Sequence, residues 1–418
     1  MSDLLNSYEP IVGPDVIGHL RHLAAPLAGQ RVVHVNSTKE GGGVAEILHK
    51  MVPLMRALGI ETEWHVITGA PEFYQCTKTF HNALQGNHTA PREHQLAAYE
   101  EANAAFAAEY GEQLAAADYV IIHDPQPAAV IEHLPARRGK WVWRCHIDIG
   151  SPYRRVWRYL YHKVLNFDAS IFSLPQFSRR LPHAQYIIPP SIDPLSDKNT
   201  DLPASEINGV VEQFGLDPER PLVLQVSRFD RFKDPIGVIE AAQLARKFAP
   251  LQLVLAGGGA SDDPEGAAVL EEVKQAAADD PDTHILLLPP DAHRTINALQ
   301  RAADIVVQKS LKEGFGLTVT EALWKGKPVI GGDVGGIRLQ ITDHYTGFLV
   351  RSPEGAALRM RYLLHRRDKL RDMGERAHRH VLENFLLTRH LRDYLALMLG
   401  LVNGNTDRLL VGVNHGGY

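Results

Sequence analysis

Two successive series of short apolar runs, each run followed by a longer stretch of helical periodicity, limit this chain to few architectures. Such alternation marks βα units wound around parallel sheets. In the first half the strand candidates are Arg31–Asn36, Glu61–Ile67, Tyr119–His123 and Trp141–Ile147, with Ile171–Leu174 and Tyr186–Ile188 closing the series. Val44–Leu58 follows the first strand with apolar residues at Val44, Ile47, Leu48, Met51, Leu54, Met55 and Leu58, a helical period. The pattern breaks at Pro189-Pro190-Ser191-Ile192-Asp193-Pro194, and the proline-rich, polar run to Asn199 reads as an interdomain linker. A second series then offers Leu222–Val226, Leu251–Ala256, His284–Leu288, Asp304–Val307 and Pro328–Gly331 as strands. Helical patterns over Ala356–Leu364, Leu370–Phe385 and His390–Leu399 precede a tail from Asn403 to Tyr418.

The expected fold is α/β, with two Rossmann-like lobes facing a central cleft. The expected domains are 1–199, 200–384, and a C-terminal helix and tail, 385–418, packing back toward the first lobe. In open α/β sheets ligands sit beyond the carboxyl ends of the strands, so two such lobes suit two substrates.

Composition removes several function classes. The 418 residues suffice for two ordinary domains, and 44 % apolar with 22 % charged residues is the balance of a folded protein. A net charge of -5 argues against a nucleic-acid partner, which leaves a basic footprint. Cys76 and Cys145 cannot build a disulfide framework or a zinc cage, and they suit a reducing compartment. The start, MSDLLNSYEPIVGPD, lacks the basic and apolar regions of a signal peptide, and no stretch approaches the roughly 20 apolar residues of a membrane span. A cytoplasmic protein without a membrane partner is expected.

The most informative segment is Lys312-Glu313-Gly314-Phe315-Gly316-Leu317-Thr318, which opens a helical pattern containing Glu321. Gly314 and Gly316 let backbone approach a ligand, and the N–H groups at a helix start favour an anion such as a diphosphate. Glu313 and Glu321, about 12 Å apart if fully helical, match a sugar and a ribose of one extended ligand. They equally match a capping carboxylate and a solvated surface residue. Arg228 and Lys233 follow another strand and would supply a planar fork and a point charge to a diphosphate. Alone, an Arg and a Lys after a strand are more often surface charges. Lys39-Glu40-Gly41-Gly42-Gly43 joins the first strand to its helix but lacks the spacing of a dinucleotide fingerprint, so no NAD site is expected. His123, Asp124 and Gln126 end one strand, and His146 and Asp148 end another. These groups suit sugar hydroxyls, or a helix cap near Pro127 and ordinary structural polarity. Thr77–Gly86, with His81, Asn82 and Gln85, is polar with one aromatic, a composition suited to a sugar site.

Glu-x7-Glu around Gly-Phe-Gly-Leu, preceded by Arg228-x4-Lys233, resembles the retaining GT-B glycosyltransferases of the family containing sucrose synthase and trehalose-forming enzymes. The resemblance covers nearly the whole chain. Its first-lobe segments, among them His34-Val35-Asn36-Ser37-Thr38, Thr77–Gly86, His123–Pro127 and Trp143–Asp148, are similar to the trehalose-forming members. Two departures are Phe232, where a Trp is expected before the lysine, and the glycine-rich Leu255–Gly259.

The resemblance implies glucose transfer from UDP- or ADP-glucose to free glucose, forming trehalose reversibly and without metal or cofactor. It implies His146, Arg228, Lys233 and Glu313 as catalytic residues. The donor would also meet Gly42, Gly43, Gly314, Phe315, Gly316, Leu317, Thr318 and Glu321. The acceptor would meet Asn36, Gly41, Gly42, His81, Asn82, Gln85, His123, Asp124, Gln126 and Asp148. A homodimer is expected. The rival readings are a trehalose phosphorylase using inorganic phosphate, an NDP-sugar epimerase, and a sugar-binding regulator on a transferase scaffold.

Overall fold

The computed structural model describes residues 3–40, 43–258, 264–402 and 409–410. The residues fall into two compact units, one reaching to Pro190 and resuming at Leu387, the other running from Ser191 to Leu386.

The first unit is built on strands β1 (Arg31–Asn36), β2 (Glu61–Val66), β3 (Tyr119–His123), β4 (Lys140–Cys145), β5 (Ala169–Phe172) and β6 (Ala184–Ile187). They pair in parallel in the order β6-β5-β4-β3-β1-β2, with Leu409–Leu410 adding a two-residue strand beside β6. β3 and β5 are buried at every position, so they read as unbroken apolar runs in the way parallel strands covered on both faces do. Side chains alternate between two cores. Val33, Val35, Ile122 and Trp143 pack with Phe73, Phe80, Phe106 and Leu160. Val32, Tyr119, Ile121 and Val142 pack with Ile17, Leu20, Met51, Leu391, Leu395 and Met398.

The helix Leu387–Val402 therefore supplies core side chains to a sheet whose six longer strands lie within the first 187 residues. It is fastened by polar bonds as well. The Tyr119 hydroxyl donates to the Met398 carbonyl at 2.9 Å. The buried Arg389 donates to the Pro189 and Pro190 carbonyls, each at 3.0 Å, and pairs with Asp393 at 2.8 Å. Asp393 also holds Arg392 at 2.9 Å.

The second unit has β7 (Leu222–Val226), β8 (Gln252–Gly257), β9 (Thr283–Leu287), β10 (Ile305–Gln308), β11 (Val329–Gly332) and β12 (Gly347–Val350), all parallel in the order β12-β11-β10-β7-β8-β9. Val223, Leu253, Ile305, Ile330 and Phe348 bury against helices Pro235–Arg246 and Pro353–His365.

Several expectations need correction. β4 ends at Cys145, so His146 lies one residue beyond the strand rather than within it. Thr77–Leu84, for which no element was predicted, is part of helix Pro71–Leu84, with Phe80, Ala83 and Leu84 buried at helical spacing. No helix starts at Pro127; turns lead to a short 3-10 segment at Val130–His133. The segment 191–199, expected as part of an interdomain linker, is packed into the second unit. Ile192 and Asn199 are buried, the Ile192 N–H donates to the Phe385 carbonyl at 2.9 Å, and Trp324 Nε1 donates to the Asn199 carbonyl at 3.1 Å. The compact units divide after Pro190 and after Leu386; the sequence breaks were expected after 199 and 384.

Removing one member of a buried ion pair strands the other, at a cost of about 3–5 kcal/mol. Arg389→Ala is thus expected to lower stability by that amount in urea unfolding followed by circular dichroism. A loss below about 1 kcal/mol would show that this pair does not fasten the helix.

Candidate functional site

In the second unit the candidate donor residues gather at the carboxyl ends of β7 and β10. Arg228 stands two residues past β7; its side chain is 65 % exposed and touches Asp230 at 3.2 Å. Asp230 also accepts from the Phe232 N–H at 2.7 Å, which caps the turn Arg231–Lys233. Gln225 Nε2 donates to the Lys233 carbonyl at 2.8 Å. The turn thereby aims Lys233 Nζ at Glu313 Oε2, 2.5 Å away. Ser310 Oγ donates to the same carboxylate oxygen at 3.2 Å.

Glu313 is held from the other side by glycines. Gly316, in the left-handed region at φ 83°, caps helix Leu317–Trp324 and lies against the Glu313 side chain. A Cβ on Gly335 would fall 1.8 Å from the Glu313 carbonyl oxygen, and Gly336 donates to the Gly314 carbonyl at 2.9 Å. Gln340 Nε2 donates to the Phe315 carbonyl at 2.5 Å, while Phe315 packs on Phe385. The first N–H groups of a helix have no partner within it, so the start at Leu317 and Thr318 offers donors to an anion. Glu321 is 5 % exposed and is therefore not the solvated surface residue of the plainer reading.

Sequence reasoning missed Ser310, Gly335, Gly336 and Gln340, which shape this loop. It also missed the ion pair of Lys309 with Asp234, the residue that caps helix Pro235–Arg246 from a left-handed backbone at φ 51°. A usable signal existed in the glycines and polar residues directly after β10 and β11.

In the first unit the candidates cluster beyond β3 and β4. His123 ends β3 and Asp124 follows it, with a backbone φ of 62°. Asp124 Oδ1 accepts from the His146 N–H at 2.7 Å, and Trp143 Nε1 donates to the Asp124 carbonyl at 3.0 Å. His123 Nδ1 lies 3.0 Å from His146 Nε2, and His123 Nε2 lies 3.0 Å from His34 Nδ1. Beneath them Arg144 is fully buried and donates to the Ile188 carbonyl at 2.8 Å. Asp148 does not bond the His146 ring; its Oδ1 accepts from the Gly150 N–H at 2.8 Å. Gln126 Oε1 is buried without a partner.

Other acceptor candidates stand farther along the sequence. The Asn36 side chain accepts from Trp64 Nε1 and donates to the Thr38 carbonyl. His81 and Asn82 occupy the last turn of helix Pro71–Leu84, and Gln85 is its cap. Gly41 and Gly42 lie outside the described residues; Gly43 is the first residue of helix Gly43–Ala57. Among the described residues no three His, Cys, Asp or Glu side chains gather as a metal site, and no helix is long and apolar enough to cross a membrane.

Comparison with known proteins follows the same division. Residues 34–179 match the family described as trehalose synthase, N-terminal domain, and residues 210–380 match glycosyl transferases group 1. The trehalose synthase of Pyrococcus horikoshii is 45 % identical over 405 residues, covering 95 % of this chain and 96 % of the relative. The chain belongs to the trehalose synthase family. It is accordingly a hexosyltransferase with the GT-B fold. A trehalose phosphorylase of Pleurotus pulmonarius is 30 % identical over 85 % of this chain but only 55 % of its own length. Among solved structures, an Anabaena protein in complex with UDP and glucose superposes with a TM-score of 0.65 at 17 % identity, covering 89 % of this chain and 99 % of that one.

Burial imposes a pH dependence on this family member. It pushes His34 down to about 3, and it lowers His123, His146 and His390 well below the ordinary imidazole value, aided by neighbouring cations. Groups depressed in the folded state contribute stability that is present above the unfolded value of 6.5 and lost as pH falls through the folded one. Asp124 opposes this, since burial raises it to about 7 and its contribution declines as pH rises toward that value. Four histidines outweigh one carboxyl. The urea midpoint is expected to fall steeply as pH drops from 6.5 toward 3, with a shallower slope in His34→Asn. An unchanged slope in that variant would contradict the burial argument.

Proposed function

We propose that this protein transfers glucose, with retention, from UDP- or ADP-glucose to free glucose and forms trehalose reversibly. The observation that carries the reading is the Lys233–Glu313 pair at 2.5 Å, set at the helix start of Gly316–Thr318. The first domain would bind the acceptor and the second the nucleotide sugar. Arg228, Lys233 and the helix start would hold the diphosphate. Glu313 would bind hydroxyls of the transferred glucose, and Glu321 the ribose.

The chemistry balances simply. The bond from the donor's anomeric carbon to the phosphate oxygen breaks, and the acceptor's anomeric oxygen bonds that carbon on the same face. The acceptor proton passes to the departing phosphate oxygen. Lys233 and Arg228 stabilise the charge that develops on that diphosphate. An arriving anion competes for Lys233, which frees the Glu313 carboxylate for the sugar. His146 would meet the transferred sugar near the reacting carbon, with Asn36, His81, Asn82, Gln85, Asp124, Gln126 and Asp148 on the acceptor side. His123, buried with both ring nitrogens bonded to His34 and His146, would act there through His146. The protein would work in the cytoplasm as a homodimer.

A second reading is supported by the 30 % identity to a trehalose phosphorylase. There inorganic phosphate would replace the nucleoside diphosphate on the same cations.

The test is NMR product analysis of the purified protein with UDP- or ADP-glucose and glucose, alongside trehalose with inorganic phosphate. An α,α-linked disaccharide and nucleoside diphosphate are expected. Glucose 1-phosphate from the second mixture, with no product in the first, would replace the proposal by the phosphorylase. Lys233→Ala is expected to lower kcat by about 10²-fold or more with the fold intact; near-normal turnover would remove Lys233 from the diphosphate site.

A further inference from the structure

Alternation along β1, β3 and β4 points His34, His123 and Arg144 to the sheet face that otherwise carries Val32, Tyr119, Ile121 and Val142. The register sets His34 opposite Ile121 and His123 opposite Arg144. Three imidazoles then line up. His34 and His123 stack at 5.4 Å with planes 27° apart, and His123 and His146 at 5.4 Å and 15°. Each neighbouring pair is joined by one hydrogen bond of 3.0 Å, always between Nδ1 of one ring and Nε2 of the next.

A neutral imidazole has one donor and one acceptor nitrogen, so this row has two arrangements of its protons. In the first, every proton sits on Nδ1 and the row ends inside the protein on a bare His34 Nε2. In the second, every proton sits on Nε2 and the row ends on a His34 N–H. His34 Nε2 is buried and has no partner. A stranded donor is the rarer and costlier defect, so the first arrangement is favoured. Burial keeps all three rings neutral, aided by Arg144 at His123 and His146, which removes imidazolium forms from the choice.

We infer that His34 and His123 are positioning residues that hold His146 as the Nδ1–H tautomer. His146 Nδ1 makes no hydrogen bond among the described residues and is not enclosed, so it presents a donor beyond the carboxyl end of β4. The consequence for transfer rests on the function proposed above. A sugar hydroxyl meeting His146 is engaged through its oxygen, and His146 is not poised as a base. A histidine without such a neighbour favours the opposite tautomer, so the row has a chemical effect that packing alone would not produce.

The test is the tautomer itself, read in the full-length protein with 15N-labelled histidine by long-range 1H–15N correlation. The His146 ring is identified by its disappearance in His146→Asn. A protonated Nδ1 with a bare Nε2 is expected; the reverse pattern overturns the inference. His123→Phe keeps a flat ring but removes the hydrogen bond. It is expected to shift His146 toward Nε2–H and to lower kcat about tenfold, the loss of one net hydrogen bond. His123→Gln, whose amide can donate to His146 Nε2, is expected to recover most of both. A shifted tautomer with unchanged kcat would overturn the positioning role, and a poorly folding His123→Phe leaves the wild-type spectrum decisive. That spectrum needs no substrate, so a failed tautomer and a failed transferase reading are separate results.

Discussion

Parallel pairing places the carboxyl ends of six strands along one edge of each sheet, and the polar groups of both candidate sites depend on that edge. Arg228 and Lys233 follow β7, Lys309, Ser310 and Glu313 follow β10, and Gly335 follows β11. Because β10 lies between β7 and β11, residues eighty positions apart in sequence meet as neighbours. In the first unit His123 and His146 meet for the same reason, at the ends of adjacent β3 and β4. No helix chooses these partners; strand order does.

The Lys233–Glu313 pair is also an energetic compromise. Both side chains are largely withdrawn from solvent, at 18 % and 9 % exposure, and withdrawing charge is costly unless the partner and further hydrogen bonds compensate. Ser310 gives part of that compensation, and the glycines at 316, 335 and 336 give the close approach. The result is a cation and an anion already desolvated and held in place before any ligand arrives.

How legible this was in the sequence depended on whether the signal was local. β1, β3 and β7 fall on the predicted residues because a strand covered on both faces is an unbroken apolar run with polar punctuation. β4 was carried two residues too far because Ile147 extends the apolar pattern past Cys145. β12 was missed, since four residues beginning with glycine carry little periodicity. No element was predicted over Thr77–Leu84, read only as a polar segment, although its inward residues Phe80, Ala83 and Leu84 follow a helix. In the donor loop the Glu313 and Glu321 spacing was visible. The burial of Glu321 was not, because it depends on what packs over the helix. The histidine row was beyond reach altogether: its members come from β1, from β3 and from just beyond β4, and only the pairing order brings them together.

The return of helix Leu387–Val402 to the first sheet has a consequence for how the protein is made. A ribosome delivers residues in order, and domains generally fold as units once their residues have emerged. Here the unit begun first is completed last, because Leu391, Leu395 and Met398 are part of its core and Arg389 closes over Pro189 and Pro190. The second unit, Ser191–Leu386, has all its strands before that helix appears. During synthesis the first unit waits with its apolar sheet face, partly covered by Ile17, Leu20 and Met51, still open where Leu391, Leu395 and Met398 will pack.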